Sequence, residues 1–120
     1  MQPVLLELMK VIRQTKESEI INPLETYKTI GWIMQTLSDY PEADYYLKRA
    51  LKYCKPGSVN YAAILDNYGI NLYKTRRYQE ALKQFHKTGL IALKINDSLR
   101  YAKTLGNKAL VYEEQNKYAE

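Results

Sequence analysis

The chain repeats itself, and this constrains its fold more than any other feature. Tyr61-Ala62 recurs at Tyr101-Ala102, Leu65 at Leu105, Asn67 at Asn107 and Tyr78 at Tyr118, each 40 residues on. One step earlier the offset is 38: Gly31 matches Gly69, Tyr40 matches Tyr78, Ala43 matches Ala81 and Leu47 matches Phe85. A unit of this length is one supersecondary element that cannot bury its apolar face alone, so neighbouring units must stack.

Within each unit the apolar period is helical. Tyr27, Ile30, Gly31 and Met34 share one helix face, and Leu65, Tyr68, Gly69 and Leu72 repeat the spacing. After a short break Ala43, Leu47 and Ala50 form a second stripe, matched by Ala81, Phe85 and Thr88. Each unit is thus two helices joined by a tight turn. Ser38-Asp39-Tyr40-Pro41 places Pro at a first helical position, whereas Lys74-Thr75-Arg76-Arg77 makes its turn without Gly or Pro. Asn22-Pro23-Leu24-Glu25 offers an N-cap with a Glu reaching back, Lys55-Pro56-Gly57-Ser58 stops one helix and caps the next, and Asn96-Asp97 does the same before Ser98. These signals predict six helices near 3–15, 23–37, 42–54, 59–74, 79–95 and 98–115, and no strand.

The pattern aromatic-x-x-Leu-Gly-x-x-Tyr followed by Ala-x-x-x-Phe is that of the tetratricopeptide repeat (TPR) family. The chain resembles it at Tyr27-x-x-Ile30-Gly31-x-x-Met34 with Ala43-x-x-x-Leu47, and again at Leu65-x-x-Tyr68-Gly69-x-x-Leu72 with Ala81-x-x-x-Phe85. Leu105-x-x-Lys108-Ala109-x-x-Tyr112 is a third, poorer match, with Lys108 in a normally apolar place. Units of 38 and 40 residues exceed the usual TPR length of about 34 and are similar to the kinesin light chain-like variety. The resemblance implies an all-α, right-handed α-solenoid of antiparallel helix pairs. Residues 1–22 would hold the second helix of a degenerate preceding unit, 23–58 unit one, 59–97 unit two and 98–120 the first helix of unit three. Leu5, Met9 and Ile12 fall 38 residues before Ala43, Leu47 and Ala50, so the chain is expected to begin and end in mid-repeat, as a stretch of a longer array. Both ends, the Leu5/Met9/Ile12 face and the region of Tyr112 and Tyr118, are then expected to lack a stacking neighbour, which a second copy could supply as a homodimer.

Catalytic constellations are missing. His86 is the single histidine and Cys54 the single cysteine, so neither a metal cluster, a His-based triad nor an internal disulfide can be assembled. The carboxylates Asp39, Glu42, Asp44, Glu113 and Glu114 lack partner motifs, and no phosphate-binding glycine loop follows a strand. An enzyme is not expected, nor a cofactor or metal. The net charge of +5 divides into eight basic and seven acidic residues up to position 60, and ten and six thereafter. Its densest cluster, Lys74, Arg76 and Arg77, falls in a turn, where a nucleic-acid binder would carry a broad basic face. With no apolar run long enough for a membrane span, the expected location is the cytoplasm.

The remaining function is binding. In the TPR family the first helix of each pair lines a concave groove. The resemblance places Lys28, Trp32 and Gln35, then Asp66, Asn67, Ile70 and Tyr73, then Lys103, Asn107, Leu110 and Glu114 on that surface. Family members use an Asn just before the apolar-small pair to hydrogen-bond an extended peptide. Asn67 and Asn107 stand there, and Thr29 takes the place in unit one. Lys28, Asn67 and Lys103 also match three of the five positions of the clamp that holds a terminal carboxylate in chaperone-tail binders, with Trp32 and Asn107 replacing the other two. The expected function is a scaffold for a protein or peptide, bound through Lys28, Trp32, Asp66, Asn67, Ile70, Tyr73, Lys103 and Asn107. The alternative is a sensory segment of a larger bacterial signalling protein, a histidine kinase or peptide-responsive transcription regulator. A solvated polar inner face with no single ligand is the plainest account of the same residues.

Overall fold

Six α-helices form where the periodicity puts them. The computed structural model describes residues 3–119, with α1 at Pro3–Gln14, α2 at Pro23–Thr36, α3 at Tyr40–Lys52, α4 at Val59–Lys74, α5 at Tyr78–Lys94 and α6 at Ser98–Ala119. A single 3-10 turn, Glu17–Glu19, links α1 to α2, and there is no strand among the described residues. Five of the six helices lie within two residues of their sequence-based bounds, and α6 runs four residues further than 115.

The turns explain why the boundaries are sharp. Ser38, Arg76 and Asn96 take left-handed conformations with φ of 62, 63 and 57°. In each case the next residue's N–H reaches back across the helix end: Asp39 to the Met34 carbonyl, Arg77 to Leu72 and Asp97 to Ala92, at 2.8 to 2.9 Å. This is the 6→1 closure of a Schellman motif, usually made by glycine. The chain makes it three times with other residues, including at the turn that carries neither Gly nor Pro.

Caps are mixed. Ser58 accepts from the Tyr61 N–H at 3.1 Å and Asp97 from the Arg100 N–H at 3.0 Å. Asn22, expected to cap α2, instead sits at φ 53° with no side-chain bond, and Glu25 pairs with Lys28 at 2.9 Å in place of reaching back. Pro41 occupies the second helical position and not the first, because α3 begins at Tyr40.

Helices adjacent in sequence pack from α2 through α6, and α4 also touches α2 and α6. The α2–α3 and α4–α5 pairs use the same device. A Cβ placed on Gly31 would lie 2.9 Å from Leu47 Cδ2, and one on Gly69 only 2.5 Å from Phe85 Cε1. Both glycines therefore let a bulky side chain seat directly on the helix backbone. Gly69 faces the Phe85 ring itself.

Two apolar clusters result. One joins Met9, Tyr27, Ile30, Met34, Tyr46 and Leu47 with their neighbours, and the other joins Leu72, Ala81, Phe85 and Val111. Tyrosines thicken the first: Tyr27 stacks on Tyr46 at 6.1 Å and on Tyr53 at 6.0 Å between ring centres. The expected open face of α1 is not open. Met9 is buried, and Leu5 and Ile12 pack against this first cluster. The apolar residues that α1 leaves outside are Val4, Leu6, Leu8 and Val11. At the other end Tyr112 is exposed as expected, and the Tyr118 side chain lies outside the described atoms.

Candidate binding surface on alpha2, alpha4 and alpha6

Because α4 touches both α2 and α6, the three first helices are neighbours, and polar bonds fix them in register. Gln35 Nε2 donates to the Asn67 carbonyl at 2.7 Å, tying α2 to α4. Asn71 Nδ2 donates to the Tyr40 carbonyl at 2.9 Å, tying α4 to the start of α3. Asp66 receives Arg100 Nη1 at 3.0 Å and the Thr104 hydroxyl at 3.1 and 3.2 Å, tying α4 to α6.

This last network changes the candidate site. Asp66 was expected on the open inner face, yet it is only 2% exposed. With Ala62 and Gly69 it forms an i, i+4, i+7 stripe along α4, and that periodicity is the signal that could have revealed its burial. Arg100 and Thr104, four apart on α6, were not singled out from the sequence at all. Burial pushes the Asp66 carboxyl above its ordinary value, against the opposing pull of Arg100 and Thr104. The group joins helices and is not available to a ligand.

Ile70 and Tyr73 are half-buried and pack against the Leu72/Phe85/Val111 cluster, so each offers an edge and not a face. Tyr73 also lines a recess of about 190 Å3 with Lys74, Arg76, Tyr78 and Glu114 at one end of the helices. Lys28 is half-buried and paired with Glu25. The residues left accessible are Trp32, at 58% exposure, and Lys103, with Asn67 and Asn107 half-exposed. None of these four side chains makes a hydrogen bond or ion pair among the described residues. Trp32 lies one helical turn before Gln35, the residue that grips the α4 backbone at Asn67. A large indole and an unpaired amide are thus presented by adjoining helices.

His86 is exposed, and Cys54 is buried with its Sγ 3.6 Å from the Ser58 Oγ. No group of three or more His, Cys, Asp or Glu side chains among the described residues could hold a metal ion, and none of the described helices is long and apolar enough to cross a membrane. No family model, curated protein or solved structure matches the chain.

Proposed function

We propose that the chain is a TPR-like scaffold that binds an extended peptide segment of another protein across α2, α4 and α6, the helix pairs stacking as a right-handed solenoid. The observation that carries this reading is the set of unengaged polar and aromatic side chains, Trp32, Asn67, Lys103 and Asn107, on three helices held in register by Gln35–Asn67 and Asp66–Arg100. An extended peptide has a backbone donor and acceptor at nearly every residue, and unpaired amides are suited to meet them. The exposed indole supplies apolar area to a side chain of the ligand, the usual form of a binding hot spot. The equivalent seating of Leu47 on Gly31 and Phe85 on Gly69, 38 residues apart in each case, supports the repeat on which the groove depends.

Trp32 is the sole tryptophan, so its fluorescence reads this surface directly. Peptides of twelve random residues selected on the immobilised chain by phage display should shift Trp32 emission when they bind. The Asn67→Ala, Asn107→Ala double variant should weaken those peptides by about 1–3 kcal/mol, since buried backbone groups of the ligand would lose their partners. Undiminished binding by the double variant, or binding that leaves Trp32 emission unmoved, would place the ligand elsewhere.

A further inference from the structure

The joint between α1 and the α2–α3 pair holds a recess of about 190 Å3, and none of the groove residues lines it. Its lining includes Tyr27, Tyr45 and Tyr46, the guanidinium groups of Arg13 and Arg49, and Glu17. Arg13 Nη2 donates to Glu42 and Arg49 Nη1 to Glu17, so each five-donor guanidinium keeps N–H groups beyond its carboxylate. Arg49 also lies 5.0 Å from the centre of the Tyr45 ring. Tyr46 is fully buried, yet its hydroxyl makes no hydrogen bond, a state that folded proteins seldom leave uncompensated. Burial pushes its phenol above the ordinary value, against the pull of Arg13, so it remains an O–H donor. Stacking of the repeat does not account for these residues. At the offset of 38, Arg13, Tyr27, Tyr45, Tyr46 and Arg49 are matched by Leu51, Leu65, Lys83, Gln84 and Lys87. The next joint is therefore made with neither an arginine nor a tyrosine at these places.

We infer that this recess binds a small organic acid with a flat ring, its carboxylate held by Arg13, Arg49 and the Tyr46 hydroxyl and its ring set against Tyr27 and Tyr45. Charge, donor geometry and size choose that class. The lining carries two guanidinium groups and one carboxylate, and a monoanion balances the difference; Glu42, which engages Arg13, is not part of the lining. Guanidinium forks beside a neutral phenol O–H suit the paired oxygens of a carboxylate. A cavity of about 150 Å3 takes benzene, so this recess admits one ring with its acid group and not a second ring. Tyrosine rings supply the walls on which such a ring stacks. The occupant would touch Arg13 on α1 and Tyr46 and Arg49 on α3, and so fasten α1 to the helix pair beside it. This inference does not depend on the groove, because it uses no residue of it.

Benzoate is the probe, with benzylamine as the same shape of opposite charge and acetate as the acid without its ring. Titrated calorimetrically into the full chain, benzoate should bind with a dissociation constant on the order of 1 mM, the range open to so small a ligand. It should also raise the melting temperature in proportion to its occupancy. Benzylamine and acetate should each bind at least about tenfold more weakly. Tyr46→Phe removes one oxygen and keeps the ring, so it should weaken benzoate about tenfold without lowering the melting temperature of the free chain. Arg13→Gln, at an exposed position, should weaken it by a similar factor. Three results overturn the inference. Benzoate that gives neither heat nor a melting shift would leave the recess without this ligand. Benzylamine that binds as tightly as benzoate would make the recess an apolar slot with no preference for an acid. A Tyr46→Phe chain that melts lower and binds benzoate undiminished would make the hydroxyl a structural partner of Arg13.

Discussion

Helices α4 and α6 are written in the same register, and they end in opposite environments. Leu65, Gly69 and Leu72 lie in the interior, whereas Leu105, Ala109 and Tyr112 face outward. The apolar stripe is present in both sequences, so the stripe alone does not make a core. It defines a face that becomes a core only when a neighbour covers it. The residue choices record that difference. Under Phe85 only glycine fits, while the uncovered position tolerates alanine and the last apolar position has widened from leucine to tyrosine.

The sharpest way to break this comparison is to insert the same side chain at both positions. Gly69→Leu must displace the Phe85 ring and should cost about 3 kcal/mol, the upper part of the usual overpacking range. Ala109→Leu adds apolar bulk to an open face and should change stability by less than about 0.5 kcal/mol. Urea denaturation of the two variants, compared at constant m-value, measures both. Equal losses would show that the α6 face is covered in the folded chain.

A smaller effect is expected where the two helices meet. Asp66→Ala removes the acceptor of Arg100 and Thr104 and should cost about 2 kcal/mol, because Arg100 stays half-buried without its partner. Asn67→Ala, one residue along, should leave the melting curve nearly unmoved, since the bond that Gln35 makes there is to the backbone. Should the two variants melt alike, α4 and α6 are not joined through Asp66.

That contrast between neighbours also marks how far the sequence could be read. Helix number and most boundaries were legible because apolar spacing, Ser58 and Pro23 all act locally. The close approaches at Gly31 and Gly69 were legible as small residues within the stripe, but not which side chain each would face. The accessibility of Trp32, Asn67, Lys103 and Asn107 was legible, while that of Asp66 was misread, because a carboxylate in a nearly apolar row looks solvated until its partner is known. That partner, Arg100, is 34 residues away on another helix. The reversal on α1 has the same origin: Leu5, Met9 and Ile12 have the right period to pack, and nothing local says against what.

Acid titration distinguishes this joint from the one at the other end of the molecule. The Glu17 carboxyl is held below its ordinary value by its contact with Tyr53 and, less, with Arg49, which donates to it at 2.7 Å. A depressed carboxylate contributes stability above its unfolded pKa, and that contribution is lost as pH falls through the folded value. Asp66 is shifted the other way, so its folded form gains on protonation and loses again as pH rises through the raised value. Melting temperatures followed downward from neutral pH should fall less steeply for Glu17→Gln than for the parent chain, and more steeply for Asp66→Asn. Parallel curves for all three would show that neither carboxyl differs in its proton affinity between folded and unfolded chain.

The smallest expected effect tests what α4 and α6 share. The turn that leaves α4 and the turn that enters α6 have the same left-handed geometry, made by Arg76 and Asn96, and Ser38 makes it again after α2. For an L-residue other than Asn or Asp this conformation costs about 1–2 kcal/mol. Glycine avoids that cost but gives back about 0.5–1 kcal/mol of it through the greater freedom of its unfolded chain. Ser38→Gly should therefore stabilise the protein by about 0.5 kcal/mol, less the weak 3.4 Å bond that the Ser38 hydroxyl receives from Tyr40. Asn96→Gly should give almost nothing, because an asparagine side chain already tolerates the left-handed region. If the two substitutions stabilise equally, the turn before α6 is as strained as the turn after α2. The ease with which α6 is entered would then owe nothing to the asparagine.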